Sequence, residues 1–309
     1  MSDTSDIALA VETLPVAIPG AFDRPLSEDD RAALRRSVLT LEKPGLASRL
    51  SAAAGAPLDM IGRALPGPVT DAVARSTEGA MRTALRIALA TLPDKAVAEP
   101  GTEVAEARPV GRFARLLGSS AAQHKAYAAI SGAVGGVFGF ASLPVELPLS
   151  TTLMLRSIAE IAREEGEDLT DPEGALACVQ VFALGGRNGP DTALAESGYF
   201  AVRAALAKTM TEAARYAAHR SLLDSSAPAL VRFSAQIAAR FGIVVSQKVA
   251  AQAVPVLGAF GGAAVNAAFM DHFQSMARAH FTVRRLERSH GRETVRQAYA
   301  EEKRSLGLA

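Results

Sequence analysis

Glu146 is the residue whose place in the sequence points most directly to chemistry. It is the only charged residue between positions 126 and 155. A carboxylate in such apolar surroundings needs a partner, or burial raises its pKa. One interpretation is a catalytic or proton-carrying acid. The favoured interpretation is a structural ion pair, with Arg156 or the basic residues of 278–292 as partners, because structural pairs perturb pKa values too.

Two histidines could join Glu146 in one site. His272 and His280 are eight residues apart, which is about 80° around a helix, so both could face the same cavity. A zinc ion would need a third ligand, and Asp271 points about 100° away from His272 on a helix. No HEXXH motif is present. We therefore predict no metal and no cofactor, and these histidines are by default core or surface residues.

A basic segment follows the second apolar part of the chain. It contains one acid, Glu287, and five arginines: Arg278, Arg284, Arg285, Arg288 and Arg292. Phe273, Met276, Phe281 and Leu286 are interleaved with them. A basic amphipathic helix of this kind suits an anionic membrane surface. The alternative is a solvated helix face with local ion pairs, such as Glu287 with Arg284.

Several classes of function find no support in the sequence. The net charge is +1 and no recognition motif accompanies the basic segment, so we predict no nucleic-acid partner. The single cysteine, Cys178, excludes an intramolecular disulfide and a cysteine zinc site, and its apolar neighbours indicate an inert core thiol. GxSxG, Walker A and Rossmann patterns are absent. Tyr199 and Arg203 share a predicted helix face with Glu196, and could hold an anion or stabilise the preceding turn.

Two apolar, glycine-rich stretches must position these residues. Residues 126–145 and 249–270 carry no charge, and each is long enough to cross a membrane. Their glycines recur four residues apart, which lets two helix backbones approach closely: Gly132, Gly135, Gly136, Gly139, Gly258, Gly261 and Gly262. The favoured interpretation is a buried hairpin in a soluble bundle. A transmembrane pair, and a bundle that inserts a hairpin into a membrane, remain open.

The composition predicts an all-α fold. Alanine is abundant, aromatic residues make up 5% of the chain, and no useful β alternation is present. We expect a multi-helix bundle with a central glycine-rich apolar helical hairpin. The predicted organisation is an extended or disordered arm (1–26), an N-terminal helical part (27–92), a linker (93–110) and a helical domain (111–309). The predicted helices of that domain are 111–141, 144–165, 172–185, 191–222, 226–252, 254–290 and 292–305.

The sequence resembles the EcsC family. The similarity lies in VSQKVAAQAVPVLGAFGGAAVNAAFMDHFQSMARAHFTVRRLERSHGRETVRQAY (245–299) and in GFASLPVELPLSTTLMLRSIAEIAREEGEDLTDPE (139–173). The family takes its name from a bacterial operon that also encodes an ABC transporter. The resemblance therefore implies a bacterial, all-helical protein and a link to a transporter, but it carries over no catalytic set.

The expected function follows from these features. We expect a non-enzymatic, cytoplasmic protein, peripheral on the inner face of the cell membrane, whose partner is an anionic membrane surface or a membrane protein. The alternative is an enzyme or binder of a hydrophobic small molecule, with Glu146, His272 and His280 converging in a cavity. A homo-oligomer with its glycine faces buried between chains is a third expectation.

Overall fold

The computed structural model describes residues 25–42, 46, 65–90, 143–185, 198–219, 227–253 and 262–308, which form eight helices and no strand. The helices are α1 (Glu28–Glu42), α2 (Gly67–Ala90), α3 (Leu143–Glu164), α4 (Pro172–Leu184), α5 (Tyr199–His219), α6 (Pro228–Ala253), α7 (Gly262–His290) and α8 (Arg292–Ser305). The predicted all-α bundle is confirmed. Most predicted helix ends agree to within two residues; the exceptions are both ends of α5 and the start of α7, which lie close to residues outside the described chain.

One hydrophobic core joins all eight helices. It includes side chains from α1 and α2, on one side of the predicted linker, and from α3 to α8 on the other. At its centre are four phenylalanines whose contacting rings have centroids 5.1 to 5.9 Å apart: Phe182, Phe241, Phe269 and Phe273. The linker 93–110 and most of the arm lie outside the described residues, so the division into domains stays a prediction.

Local sequence explains where α4 and α8 begin. Asp171 is the N-cap of α4, and its carboxylate accepts hydrogen bonds from the backbone N–H groups of Glu173 and Gly174, at 3.1 and 3.3 Å. Pro172 occupies the first turn, where its missing N–H costs nothing. Between α7 and α8 stands Gly291 with φ +88°, a conformation that favours glycine, so the chain changes direction there.

The predicted hairpin is only partly described. Gly132, Gly135, Gly136, Gly139, Gly258 and Gly261 lie outside the described residues, as does the predicted helix 111–141. Gly262 is the first residue of α7. The ends of both apolar stretches are described, however, and they meet. Leu143 begins α3, Ala253 ends α6 and Gly262 begins α7 at one end of the bundle, which we call the apolar end.

Candidate functional site

A buried ion pair lies at the apolar end. The Nζ atom of Lys248, on α6, is 2.8 Å from Oε1 of Glu146, on α3. The Nδ2 atom of Asn266, on α7, lies 3.3 Å from the same oxygen. The Lys248 side chain is 0% exposed and that of Glu146 is 6% exposed. The first turns of α3 and α7 and the last turns of α6 are therefore joined around one carboxylate.

The partner of Glu146 differs from the prediction. Arg156 lies 3.6 Å from Glu160, and the arginines of α7 lie toward the other end of that helix. The predicted structural ion pair exists, but its cation is Lys248. In the sequence, Lys248 marks the boundary of a charge-free stretch. The available signal was a single lysine between the apolar residues Val244 and Val245 and the charge-free segment 249–270.

The environment of Lys248 is strongly apolar. Burial lowers the pKa of the Lys248 ammonium below its ordinary value, and the Glu146 carboxylate opposes that shift. The ammonium also lies 5.2 Å from the ring centroid of Phe269, within range of a cation–π contact. The geometry is that of a paired, desolvated charge that fastens three helices together.

Apolar side chains are exposed beside this pair. Val145 is 76% exposed and Leu149 is 52% exposed. They are four residues apart on α3 and so lie on the same helix face. The charge-free segments 126–142 and 254–261 join the described chain at the same end. The apolar end therefore combines an exposed aliphatic face with the attachment points of both apolar segments.

Three of the predicted membrane-contacting arginines are bound by acids of this chain. Arg284 binds Glu167, with the closest N–O distance 2.5 Å. Arg285 lies 2.9 Å from Glu165 and 3.3 Å from Asp30 of α1. Arg288 binds both the carboxylate of Glu167 and the backbone carbonyl of Glu165.

These contacts stabilise the ionised form of Glu167. Burial alone would raise the pKa of the Glu167 carboxyl, but the hydrogen bonds and charges of Arg284 and Arg288 lower it below its ordinary value. The predicted local pair of Glu287 with Arg284 is wrong, because Glu287 binds Arg203 instead. Arg278 and Arg292 are exposed, and neither makes an ion pair with a described residue.

The apolar residues of the basic segment face inward. Phe273, Met276, Phe281 and Leu286 all belong to the hydrophobic core. A helix that lies on a membrane inserts its apolar face into the lipid, and this helix has already buried that face in the protein. The apolar face of the basic segment therefore packs against the bundle itself.

The structure does not bring Glu146, His272 and His280 together. Eight residues along α7 correspond to a rise of about 12 Å, so the two histidines lie more than two helical turns apart. The prediction considered only their angle around the helix, and the axial rise separates them. His280 contacts Tyr199, and Glu146 contacts Lys248. The predicted shared cavity is wrong, and the described residues contain no cluster suited to a metal ion.

His280 ends a chain of buried hydrogen bonds. Arg203 binds Glu287 through two N–O contacts of 2.7 and 2.9 Å and donates to the Tyr199 hydroxyl at 3.2 Å. That hydroxyl also shares a hydrogen bond of 2.8 Å with Nδ1 of His280, whose direction depends on the imidazole tautomer. Burial, together with the charges of Arg203 and Arg284, lowers the pKa of His280 well below its ordinary value. The imidazole is therefore neutral.

Tyr199 and Arg203 were predicted to share one helix face, and they interact. Burial raises the pKa of the Tyr199 hydroxyl, which keeps it protonated. Glu196 lies outside the described residues. Cys178 is a buried core residue, and burial raises the pKa of its thiol to about 12, as expected of an inert thiol.

One described helix, Pro228–Gln252 within α6, is long and apolar enough to cross a membrane. Core helices of soluble bundles pass the same test, and 44% of the relevant window is buried in the bundle. The exposed apolar residues of α3 are therefore more informative about a surface contact than this helix.

Comparison with known proteins gives a family. The model of the EcsC protein family matches residues 30–286. No curated protein and no solved structure matches the chain. The matched range includes the buried pair, the contacts of Arg284 and Arg285 with acids, the whole of segment 139–173 and most of segment 245–299.

Proposed function

This chain belongs to the EcsC family, and the family name does not identify a reaction. From the geometry, we propose that it is a non-enzymatic protein that binds the cytoplasmic membrane surface through its apolar end. The proposed location is the inner face of the cell membrane. The proposed contact is with the acyl region of the lipid, with a transporter-type membrane protein as the alternative partner.

The observation that carries the proposal is the exposed aliphatic face at the apolar end, where α3 begins, α6 ends and α7 begins. Val145 and Leu149, which form this face, are 76% and 52% exposed. Exposed aliphatic side chains that continue into charge-free segments favour partition into an apolar phase, at about 25 cal/mol for each Å² removed from water. The Glu146–Lys248 pair lies behind this face, where it can hold the three helix ends rigid.

The arginine segment is not the proposed anchor. Asn266 and Arg284 are eighteen residues apart on α7, which places the paired arginines about 27 Å along the helix from the apolar end. Arg284, Arg285 and Arg288 are neutralised by acids of the chain, so their attraction for anionic lipid is weakened. The apolar end and the arginine segment were expected to contact one membrane surface, but they lie far apart along α7.

Vesicle flotation tests the proposal. We expect the full chain to float with phosphatidylcholine vesicles, and to remain bound at high salt, because an apolar contact is not screened. The double variant Val145→Gln/Leu149→Gln should lose binding without any change of charge. Val231→Gln is the matched control, because Val231 is 37% exposed and lies about 33 Å along α6 from Ala253.

Two outcomes would contradict the apolar-end contact. Failure of the wild-type chain to float with either neutral or anionic vesicles would exclude direct lipid binding. Binding that needs anionic lipid, disappears at high salt and is lost in Arg278→Gln/Arg292→Gln would assign the contact to the basic segment instead.

A further inference from the structure

A cleft separate from the apolar end is suited to a small ligand. It runs between α4, α5 and the junction of α7 with α8, and its volume is about 710 Å³. Sites for small molecules commonly occupy 300 to 1,000 Å³. One wall, from α5, is made of apolar side chains: Phe200, Ala204, Ala207, Met210 and Ala214.

Cations from α5 and from the junction of α7 with α8 also line the cleft. Arg203 of α5 and Arg284 of α7 are both held by acids, Glu287 and Glu167. Three more arginines line the cleft, are exposed and make no ion pair with any described residue: Arg215, Arg292 and Arg296. These guanidinium groups are available to an anion, for which arginine provides paired donors.

The acids of the cleft are mostly engaged elsewhere. Asp171 caps α4, and Glu287 binds Arg203. Glu173 lies 3.7 Å from Arg284, and Glu293 accepts a hydrogen bond from Gln297. Asp171 and Glu293 keep their charges, because their donors are neutral, and with five arginines against four acids the lining carries a net charge of +1.

A buried amide also opens on the cleft. Gln180 is 2% exposed and lines the cleft from α4. It makes no hydrogen bond to any residue of the described chain, and its amide atoms are not fully buried. The amide therefore offers a donor and an acceptor at the cleft surface to a polar atom of a ligand.

Helix termini add to the positive potential. α8 begins at Arg292 on the cleft, and its N-cap, Gly291, supplies no side-chain cap. Free N–H groups at a helix N-terminus favour a negatively charged group. The arginines, the amide and this terminus all select for an anion, while the α5 wall selects for an apolar body.

We propose that the cleft binds one amphiphilic anion, a molecule with a carboxylate or phosphate head and an aliphatic body, with the head at Arg292 and Arg296 and the body along α5. Ligands of this class include fatty acids and single-chain phospholipids. This inference goes beyond the proposed membrane contact, because it concerns a different surface and a single bound molecule.

A fluorescence titration tests the proposal. The probe is 11-(dansylamino)undecanoic acid, added to the full chain without vesicles. We expect saturable enhancement with one site for each chain, reversed by myristate but not by inorganic phosphate. Ala207→Trp, which fills the cleft from an exposed position of α5, should abolish binding. Arg292→Gln/Arg296→Gln should weaken it about tenfold or more, the loss expected for removed charge-assisted hydrogen bonds.

The controls separate this site from other effects. Arg36→Gln/Arg278→Gln changes the net charge equally at exposed positions outside the cleft, and should bind the probe as the wild type does. Val145→Gln/Leu149→Gln should also bind normally, so failure of the membrane proposal would leave this one intact. Circular dichroism confirms that each variant is folded.

Three results would overturn the proposal. The first is the absence of saturable probe binding by the wild-type chain. The second is wild-type affinity in both Ala207→Trp and Arg292→Gln/Arg296→Gln. The third is displacement by inorganic phosphate as effective as that by myristate, which would make the cleft a site for the head group alone.

Discussion

The ammonium of Lys248 and the carboxylate of Glu146 form an ion pair 2.8 Å long between residues 102 positions apart, with almost no exposure of either side chain. Such a pair fixes which helices are neighbours at the apolar end. Burial removes both charges from water, which costs free energy. The pair therefore contributes less to net stability than its short distance suggests.

Removal of one partner should be strongly destabilising. We expect Lys248→Met or Glu146→Leu to lower the free energy of unfolding by about 3 to 5 kcal/mol, because the other group stays buried without its counter-charge. The double variant Glu146→Leu/Lys248→Met should recover much of that loss. Urea unfolding of the four proteins measures the coupling energy.

The surface pair of Glu212 with Arg232 is the control for that cycle. These side chains are 37% and 59% exposed, and Glu212→Gln should cost less than about 1 kcal/mol. If Lys248→Met costs no more than Glu212→Gln, the buried pair does not hold the three helices.

His280 should give a pH dependence of stability. Its folded-state pKa lies well below 6.5, whereas in the unfolded chain it titrates near 6.5. As the pH falls below about 6.5, only the unfolded state takes up this proton, so stability falls by up to about 1.4 kcal/mol per pH unit.

The measurement is the free energy of unfolding between neutral and mildly acid pH, for the wild type and for His280→Gln. The glutamine of the variant can still form a hydrogen bond with Tyr199. It does not take up a proton on unfolding, so it lacks the loss of stability that His280 causes at acid pH. The stability advantage of the wild type should therefore shrink toward acid pH. Parallel curves would mean that the pKa of His280 is the same in the folded and the unfolded chain.

Gly174 should not tolerate a side chain. A Cβ atom at this position would lie 2.0 Å from the backbone oxygen of Asp168, so the turn before α4 must move. We expect Gly174→Ala to cost about 1 to 3 kcal/mol or more. Gly79→Ala is the opposite control, because that Cβ meets nothing within 4 Å in the middle of α2 and should stabilise by about 0.5 to 1 kcal/mol. Thermal unfolding compares the two variants. Equal shifts in their melting temperatures would contradict the crowding at Gly174.

The thiol of Cys178 should be unreactive in the folded protein. Burial raises its pKa to about 12, and the thiolate is the reactive form. Because the chain has one cysteine, Ellman's reagent reports on it alone. We expect reaction only in denaturant, at the rate of unfolding. Rapid modification of the native protein would show that α4 opens.

Helices could be predicted from this sequence because their signals are local. The bounds of α8 agree with the prediction at both ends, since Gly291 and a polar amphipathic pattern enclose it. Contacts between helices could not be predicted in the same way. Glu167 binds Arg284 across 117 residues, and nothing in either local sequence names the partner. Similarly, His272 and His280 share a helix face, but a helix wheel omits the rise that separates them.

The position of α1 has a consequence for biosynthesis. Asp30 binds Arg285 across 255 residues, and Glu42 accepts a hydrogen bond from Tyr299 across 257. At about 5 to 20 residues per second, a ribosome completes α7 about 13 to 50 s after α1 has been made. Throughout that interval the apolar face of α1 lacks the helices against which it packs. We therefore expect the nascent chain to carry its first helix unfolded or chaperone-bound, and to close the bundle only when translation is nearly finished.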